Sequence, residues 1–132
     1  MIKITKKTDY GLTLLAALAK EPTKLFSLRA ISIEHKLPYK FIGQVAGQLL
    51  DAGIIVSKEG AAGGYKLAKN PSKITLREVL ETLDGPMVKI DCLKGKPCPR
   101  EACCNHQRLV RNVADVVAQS LTQKTLADLV EE

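Results

Sequence analysis

Residues 27–67 read SLRAISIEHKLPYKFIGQVAGQLLDAGIIVSKEGAAGGYKL, and the reading of this stretch decides the fold. Ser27 is suited to N-cap a short helix from Leu28 to about His35, because its side-chain oxygen can accept from a first-turn amide that has no helical partner. Ala30 and Ile31 would face inward. Leu37-Pro38 opens the next helix, since proline fits the first helical turn. That helix runs to about Ala52, where Gly53 supplies the cap. Ile54 to Lys58 is short and β-branched, residues 60–64 form a glycine-rich turn, and Tyr65-Lys66-Leu67 resumes alternation. The pattern predicts a hairpin.

Upstream, Thr8 or Asp9 opens a first helix through about Lys20, with Leu12, Leu15, Ala16 and Ala19 on one face. Glu21-Pro22 ends it, because the residue before a proline is pushed out of the helical region. Three helices followed by a hairpin is the order of a winged helix. The second and third form the helix-turn-helix, and residues 60–64 form the tip of the wing. Downstream, Thr75 and Glu78 make a capping box for a helix to Leu83, stopped by Asp84-Gly85-Pro86. A longer helix runs from about Cys104 to Leu121 with an apolar stripe of Leu109, Val113, Val116, Val117 and Leu121, and a short one starts near Thr125. The expected fold class is mostly α with a small β-hairpin: a winged helix-turn-helix plus a long C-terminal dimerisation helix. The expected domains are a DNA-binding unit over 1–84, a cysteine-containing, cluster-binding loop over 85–105, and a dimerisation helix and tail over 106–132.

The 132 residues carry a net charge of +6. Residues 1–70 hold 11 Lys/Arg against 5 Asp/Glu, whereas residues 71–132 hold 9 of each, so the whole excess lies in the N-terminal half. Such asymmetry suggests a polyanion-binding half joined to a neutral half with another task. Lysines kept for solubility are the plainer explanation. No apolar run approaches the roughly 20 residues of a membrane span. The N-terminus also lacks the apolar stretch of a secretory signal, so a cytoplasmic location is expected.

On the third helix Phe41, Ile42, Val45 and Leu49 can face the core. Lys40, Gln44 and Gln48 then recur every four residues as one outward stripe, with Tyr39 at its start. Lysine and glutamine reach phosphates, guanine edges and adenine edges in a major groove. Gly43 and Gly47 lie beside the stripe, each costing the helix about 1 kcal/mol relative to alanine, which fits a close approach to DNA or to a packed helix. Lys58 and Lys66 flank the wing turn, where they could meet backbone phosphates. A solvated polar face remains the plainer alternative.

All the cysteines, Cys92, Cys98, Cys103 and Cys104, fall within thirteen positions of a Gly/Pro/Lys-rich segment. Clustering of this kind favours metal or redox chemistry over scattered apolar burial. Thiolates are the usual ligands of iron–sulfur clusters, which normally take four protein ligation points. Three cysteines with a histidine are also a zinc set, and a metal-free thiol switch through Cys103 or Cys104 is a further option.

Several segments together resemble the Rrf2 family of bacterial winged-helix dimeric transcription regulators. They are Lys6-Lys-Thr-Asp-Tyr-Gly-Leu, Gly60-Ala-Ala-Gly-Gly-Tyr-Lys-Leu, Ile74-Thr-Leu-Arg-Glu-Val-Leu and the three spaced cysteines. The family includes IscR-like regulators of iron–sulfur biogenesis and NsrR-like nitric oxide sensors, and the Thr8-Asp9-Tyr10 segment is nearer the sensors. The resemblance implies an iron–sulfur cluster, [4Fe-4S] or [2Fe-2S], on Cys92, Cys98 and Cys104. The sensors' fourth ligand is an aspartate from the partner subunit, here Asp9. The biogenesis regulators' histidine position is Gln107 here, which leaves the neighbouring His106 as an alternate, as Cys103 is for a cysteine. Glu59 stands where related regulators often carry a minor-groove arginine, which leaves that contact to Lys58. Gly43 replaces a glutamate of the biogenesis regulators, so their operator preference does not carry over.

The expectation is a homodimeric DNA-binding regulator, a repressor, whose affinity for double-stranded DNA is set by the cluster. A zinc-stabilised or thiol-switched regulator is the alternative, and an iron–sulfur electron carrier is disfavoured by the basic winged helix. No hydrolase or transferase constellation is present, and the glycine-rich segment lacks phosphate-loop spacing, so no enzyme is expected.

Overall fold

The computed structural model describes residues 4–86 and 106–130. Among the described residues, six helices and one antiparallel hairpin follow in the order α1 (Lys6–Lys20), α2 (Leu28–Glu34), α3 (Tyr39–Asp51), β1 (Ile55–Lys58), β2 (Gly64–Leu67), α4 (Leu76–Asp84), α5 (Gln107–Gln123) and α6 (Leu126–Val130). A 3-10 turn, Pro71–Lys73, precedes α4. The fold class is as expected, a winged helix followed by a long C-terminal helix.

Helix α1 begins earlier than its sequence suggests. Thr5 is the cap, its hydroxyl oxygen accepting from the Thr8 amide at 3.3 Å. The buried face is Thr8, Gly11, Leu14, Leu15, Leu18 and Ala19, whereas Leu12 and Ala16 are half-buried. Both stripes have helical spacing and share Leu15 and Ala19. Contact with α3, α4 and α6 chooses between them. Gly11 sits at the crossing, where a Cβ would lie 2.4 Å from Leu83 Cδ1 and 3.3 Å from Val45 Cγ1. Tyr10 adds an edge-to-face contact with Phe41 of α3, centroids 5.3 Å apart.

Ser27 caps α2 as expected, accepting from the Ala30 amide at 3.3 Å. Ile31 is buried, but Ala30 is exposed, and Leu28 and Ser32 complete the inner face. Ser32 closes the turn between the two helices: its hydroxyl donates to the Leu37 carbonyl, and its own carbonyl accepts from the Leu37 amide at 2.9 Å. Pro38 precedes α3, which buries Ile42, Val45, Ala46 and Leu49 and half-buries Phe41. Gly53, at φ +75°, turns the chain into the hairpin.

The strands pair Ile55 with Leu67 through Lys58 with Gly64. The sheet gains a third partner in Phe26, which exchanges two backbone hydrogen bonds of 2.8 Å with Tyr65. Gly64 makes that possible, because a Cβ there would lie 2.5 Å from the Phe26 carbonyl oxygen.

Thr75 caps α4, accepting from the Glu78 amide at 3.1 Å, while the Glu78 carboxylate lies 3.8 Å from Lys69 Nζ. Helix α5 packs on α4 and has no fully buried residue. The chain then returns to the core. The Leu76 amide donates to the Lys124 carbonyl (2.9 Å), the Leu126 amide donates to the Ile74 carbonyl (3.0 Å), and Leu126 is completely buried beside α1. No described helix is long and apolar enough to cross a membrane.

Candidate nucleic-acid interface and cysteine segment

Burial of Ile42, Val45, Ala46 and Leu49 leaves the opposite side of α3 to solvent. Tyr39, Lys40, Gly43 and Gln44 are exposed there, and Gln48 is half-buried one turn further on. A Cβ on Gly43 or Gly47 would meet nothing within 4 Å, so no described helix packs against those glycines. Their open surface lies beside the exposed Lys40 and Gln44 and the half-buried Gln48. In the hairpin, Lys58 pairs with Gly64 and Lys66 with Val56, so the register sets both lysines diagonally on one face. Lys58 is exposed and Lys66 half-buried.

A further basic group borders this face and escaped the sequence reading. Arg29, in the first turn of α2, holds its guanidinium 4.4 Å from the centroid of the Tyr39 ring. The two residues lie ten positions apart on different helices, and only the turn closed by Ser32 brings them together.

The four cysteines lie outside the described residues, as does the rest of residues 87–105. The elements on either side are described. Helix α4 ends at Asp84, whose carboxylate accepts hydrogen bonds from the hydroxyls of both Thr5 (2.6 Å) and Thr8. The start of α1 is therefore fastened to the point from which the cysteine segment departs. Asp9, next to Thr8, faces outward from the first turn of α1, and its carboxylate makes no ion pair or hydrogen bond among the described residues. His106 is exposed in the cap position of α5, its carbonyl accepting from the Val110 amide at 2.9 Å. His106 thus stands where the cysteine segment meets α5, and Asp9 lies on the helix hydrogen-bonded to the end of α4. Among the described residues no three His, Cys, Asp or Glu side chains gather into a metal site.

Along α5, Leu109, Val113 and Val116 are 64%, 49% and 65% exposed, an apolar row uncovered in the single chain. Val117 and Leu121 are half-buried.

The family model Rrf2, described as an iron-dependent transcriptional regulator, matches residues 4–132. The transcriptional regulator CymR of Bacillus subtilis is 34% identical over 133 residues, covering 97% of this chain and 89% of that protein. Its structure, described as that of the global cysteine regulator, superposes with a TM-score of 0.79 at 32% identity, covering 98% of this chain and 97% of that one. The regulator NsrR of Shouchella clausii is 29% identical, covering 98% of this chain and 89% of that protein. An oxidized form of Staphylococcus aureus CymR superposes with a TM-score of 0.74 at 33% identity over 99% and 98% of the two chains.

Proposed function

We propose, for a chain that belongs to the Rrf2 family of transcriptional regulators, a homodimeric repressor that binds double-stranded DNA and is controlled through its cysteine segment. The observation that carries the reading is the exposed face of α3 with Lys40, Gln44 and Gln48, set beside a wing with two lysines on one side. Residues 1–84 would bind DNA, 85–105 would hold the cofactor, and 106–132 would dimerise through the uncovered row on α5. Tyr39, Lys40, Gln44 and Gln48 would enter the major groove, while Lys58 and Lys66 would meet backbone phosphates. Pairing of α5 across a two-fold axis would set two copies of α3 on half-sites about one duplex turn apart.

The donor set fits an iron–sulfur cluster held by Cys92, Cys98 and Cys104 with Asp9 of the partner subunit as fourth ligand. Cys103 and His106 would be the alternates. Thiolates are the usual ligands of such clusters, and among the described residues the exposed Asp9 carboxylate makes no ion pair or hydrogen bond. The family description as iron-dependent supports the same reading. Bound there, the cluster would supply one oxygen-ligated iron that is weaker than its thiolate-held neighbours, a point open to nitric oxide or oxygen. Asp9 is adjacent to Thr8, which is bonded to Asp84 at the end of α4. A change in what Asp9 holds would thereby reach both α1 and the base of the cysteine segment, coupling cofactor state to DNA affinity.

Metal analysis and an absorbance spectrum of anaerobically purified protein test the cofactor; iron, sulfide and visible charge-transfer bands are expected. A colourless protein with one zinc per chain would put structural zinc in the cluster's place. The similarity to S. aureus CymR in an oxidized form favours a second reading, a metal-free thiol switch through Cys103 or Cys104. A colourless, metal-free protein whose DNA affinity changes reversibly with peroxide and thiol would establish it.

A further inference from the structure

The contact between Arg29 and Tyr39 assigns a task to a residue that the DNA-binding face did not include. Arg29 lies on α2 and Tyr39 is the first residue of α3. Both are exposed, with 47% of Tyr39 accessible. An exposed arginine ordinarily samples many rotamers, and a ring beneath the guanidinium favours one of them.

The contact leaves the guanidinium able to bind something else. A cation–π contact engages the charge of the guanidinium rather than its N–H donors, which all lie in the guanidinium plane. Those donors have no ion pair or side-chain hydrogen bond among the described residues. The group is thus charged, oriented, and unspent along its hydrogen-bonding edge. Its place is equally specific. In a helix-turn-helix the first helix crosses the DNA backbone while the second enters the groove. Arg29 belongs to the first. Base-reading candidates Lys40 and Gln44 project instead from the second helix.

We propose that Arg29 grips a phosphate of the DNA backbone at the edge of the groove entered by α3, and that Tyr39 is its positioning residue. The inference rests on the DNA-binding reading above and adds to it a backbone clamp shared between the two helices. A phosphate accepts two in-plane N–H bonds from one guanidinium, which a lysine cannot offer.

The test is fluorescence anisotropy of the full chain on two probes across about 50–200 mM salt. One probe is a pool of random-sequence duplexes, and the other is the tightest duplex selected from that pool by the wild-type chain. Arg29→Ala is expected to lower the log–log salt slope by about 0.9 for each Arg29 engaged, weakening both probes to a similar extent. Tyr39→Phe keeps the ring and should keep the salt slope, even where loss of the hydroxyl from the groove weakens the selected duplex. Tyr39→Leu should lower it, and Arg29→Ala added to Tyr39→Leu should change little further. An unchanged slope for Arg29→Ala overturns the proposal. So does a loss confined to the selected duplex, which would make Arg29 a base reader. Additive losses in the double variant overturn the role of Tyr39. Wild-type protein that binds neither probe removes the DNA-binding reading itself and the clamp with it. Tight wild-type binding with an Arg29-independent slope removes the clamp alone.

Discussion

The hydroxyl of Thr8, on a residue with only 1% of its surface accessible, donates to the carboxylate of Asp84 across 76 positions of sequence. Thr5 donates to the same oxygen, so one carboxylate fastens the first turn of α1 to the last of α4. Asp84→Ala leaves the Thr8 hydroxyl buried without its acceptor, which costs about 1–3 kcal/mol. Asp84→Asn keeps an acceptor and should cost less. Urea denaturation measures both, and equal losses would assign the effect to charge rather than to the hydroxyl bonds.

Gly64→Ala should destabilise the wing. Its φ of +150° is disfavoured for a side-chain-bearing residue, and its Cβ would meet Phe26 backbone atoms that move only if the Phe26–Tyr65 bridge opens. A loss of roughly 1–3 kcal/mol is expected from such strain. Faster exchange of the Phe26 and Tyr65 amides would locate it.

Val113→Asp with Val116→Asp alters two exposed positions of α5, so the single chain should keep its helical circular dichroism. The paired form should be lost, because an interface core does not tolerate unpaired carboxylates. Sedimentation velocity should then give a monomer for the variant and a dimer for the parent. A dimer in both would place the contact elsewhere.

Lys40→Ala with Gln44→Ala removes two exposed side chains from α3 without touching its buried face. Specific operator binding should disappear while thermal stability stays within about 0.5 kcal/mol of wild type. Retained specificity would exclude this face of α3.

Asp9→Ala should weaken the cofactor, read as faster loss of visible absorbance on exposure to a chelator, whereas His106→Ala should leave it unchanged. The opposite pattern would transfer the fourth ligand to His106. Cys103→Ser should spare the absorbance if Cys92, Cys98 and Cys104 are the thiolate set.

The helix-turn-helix and wing were legible because local chemistry marks their ends: Ser27 caps α2, Pro38 opens α3 and Gly53 closes it. The buried face of α1 was not, since Leu12, Leu15, Ala16 and Ala19 share the period of the stripe that is buried. The difference is made by Gly11, which admits Leu83 from a helix some seventy residues away. The cap of α1 was misplaced for a related reason. Thr5 and Thr8 are equally suited to capping, and only the distant Asp84 shows why the hydroxyl of Thr8 turns inward. Arg29 was unremarkable in sequence because its partner ring is reached through the turn at Ser32–Leu37. The outward stripe of α3 was legible through its four-residue spacing, but the cysteine ligands lie outside the described residues and their assignment remains with the sequence.

The return of the chain from α5 to the core has a mechanical consequence. With Lys124 and Leu126 pinned to the backbone at Leu76 and Ile74, and with α4 lying along it, α5 is a supported beam and not a cantilever. Under the proposed control through the cysteine segment, a force applied at His106 would pass into α4, against which α5 packs. The carboxylate of Asp84 would then carry it to the root of α1.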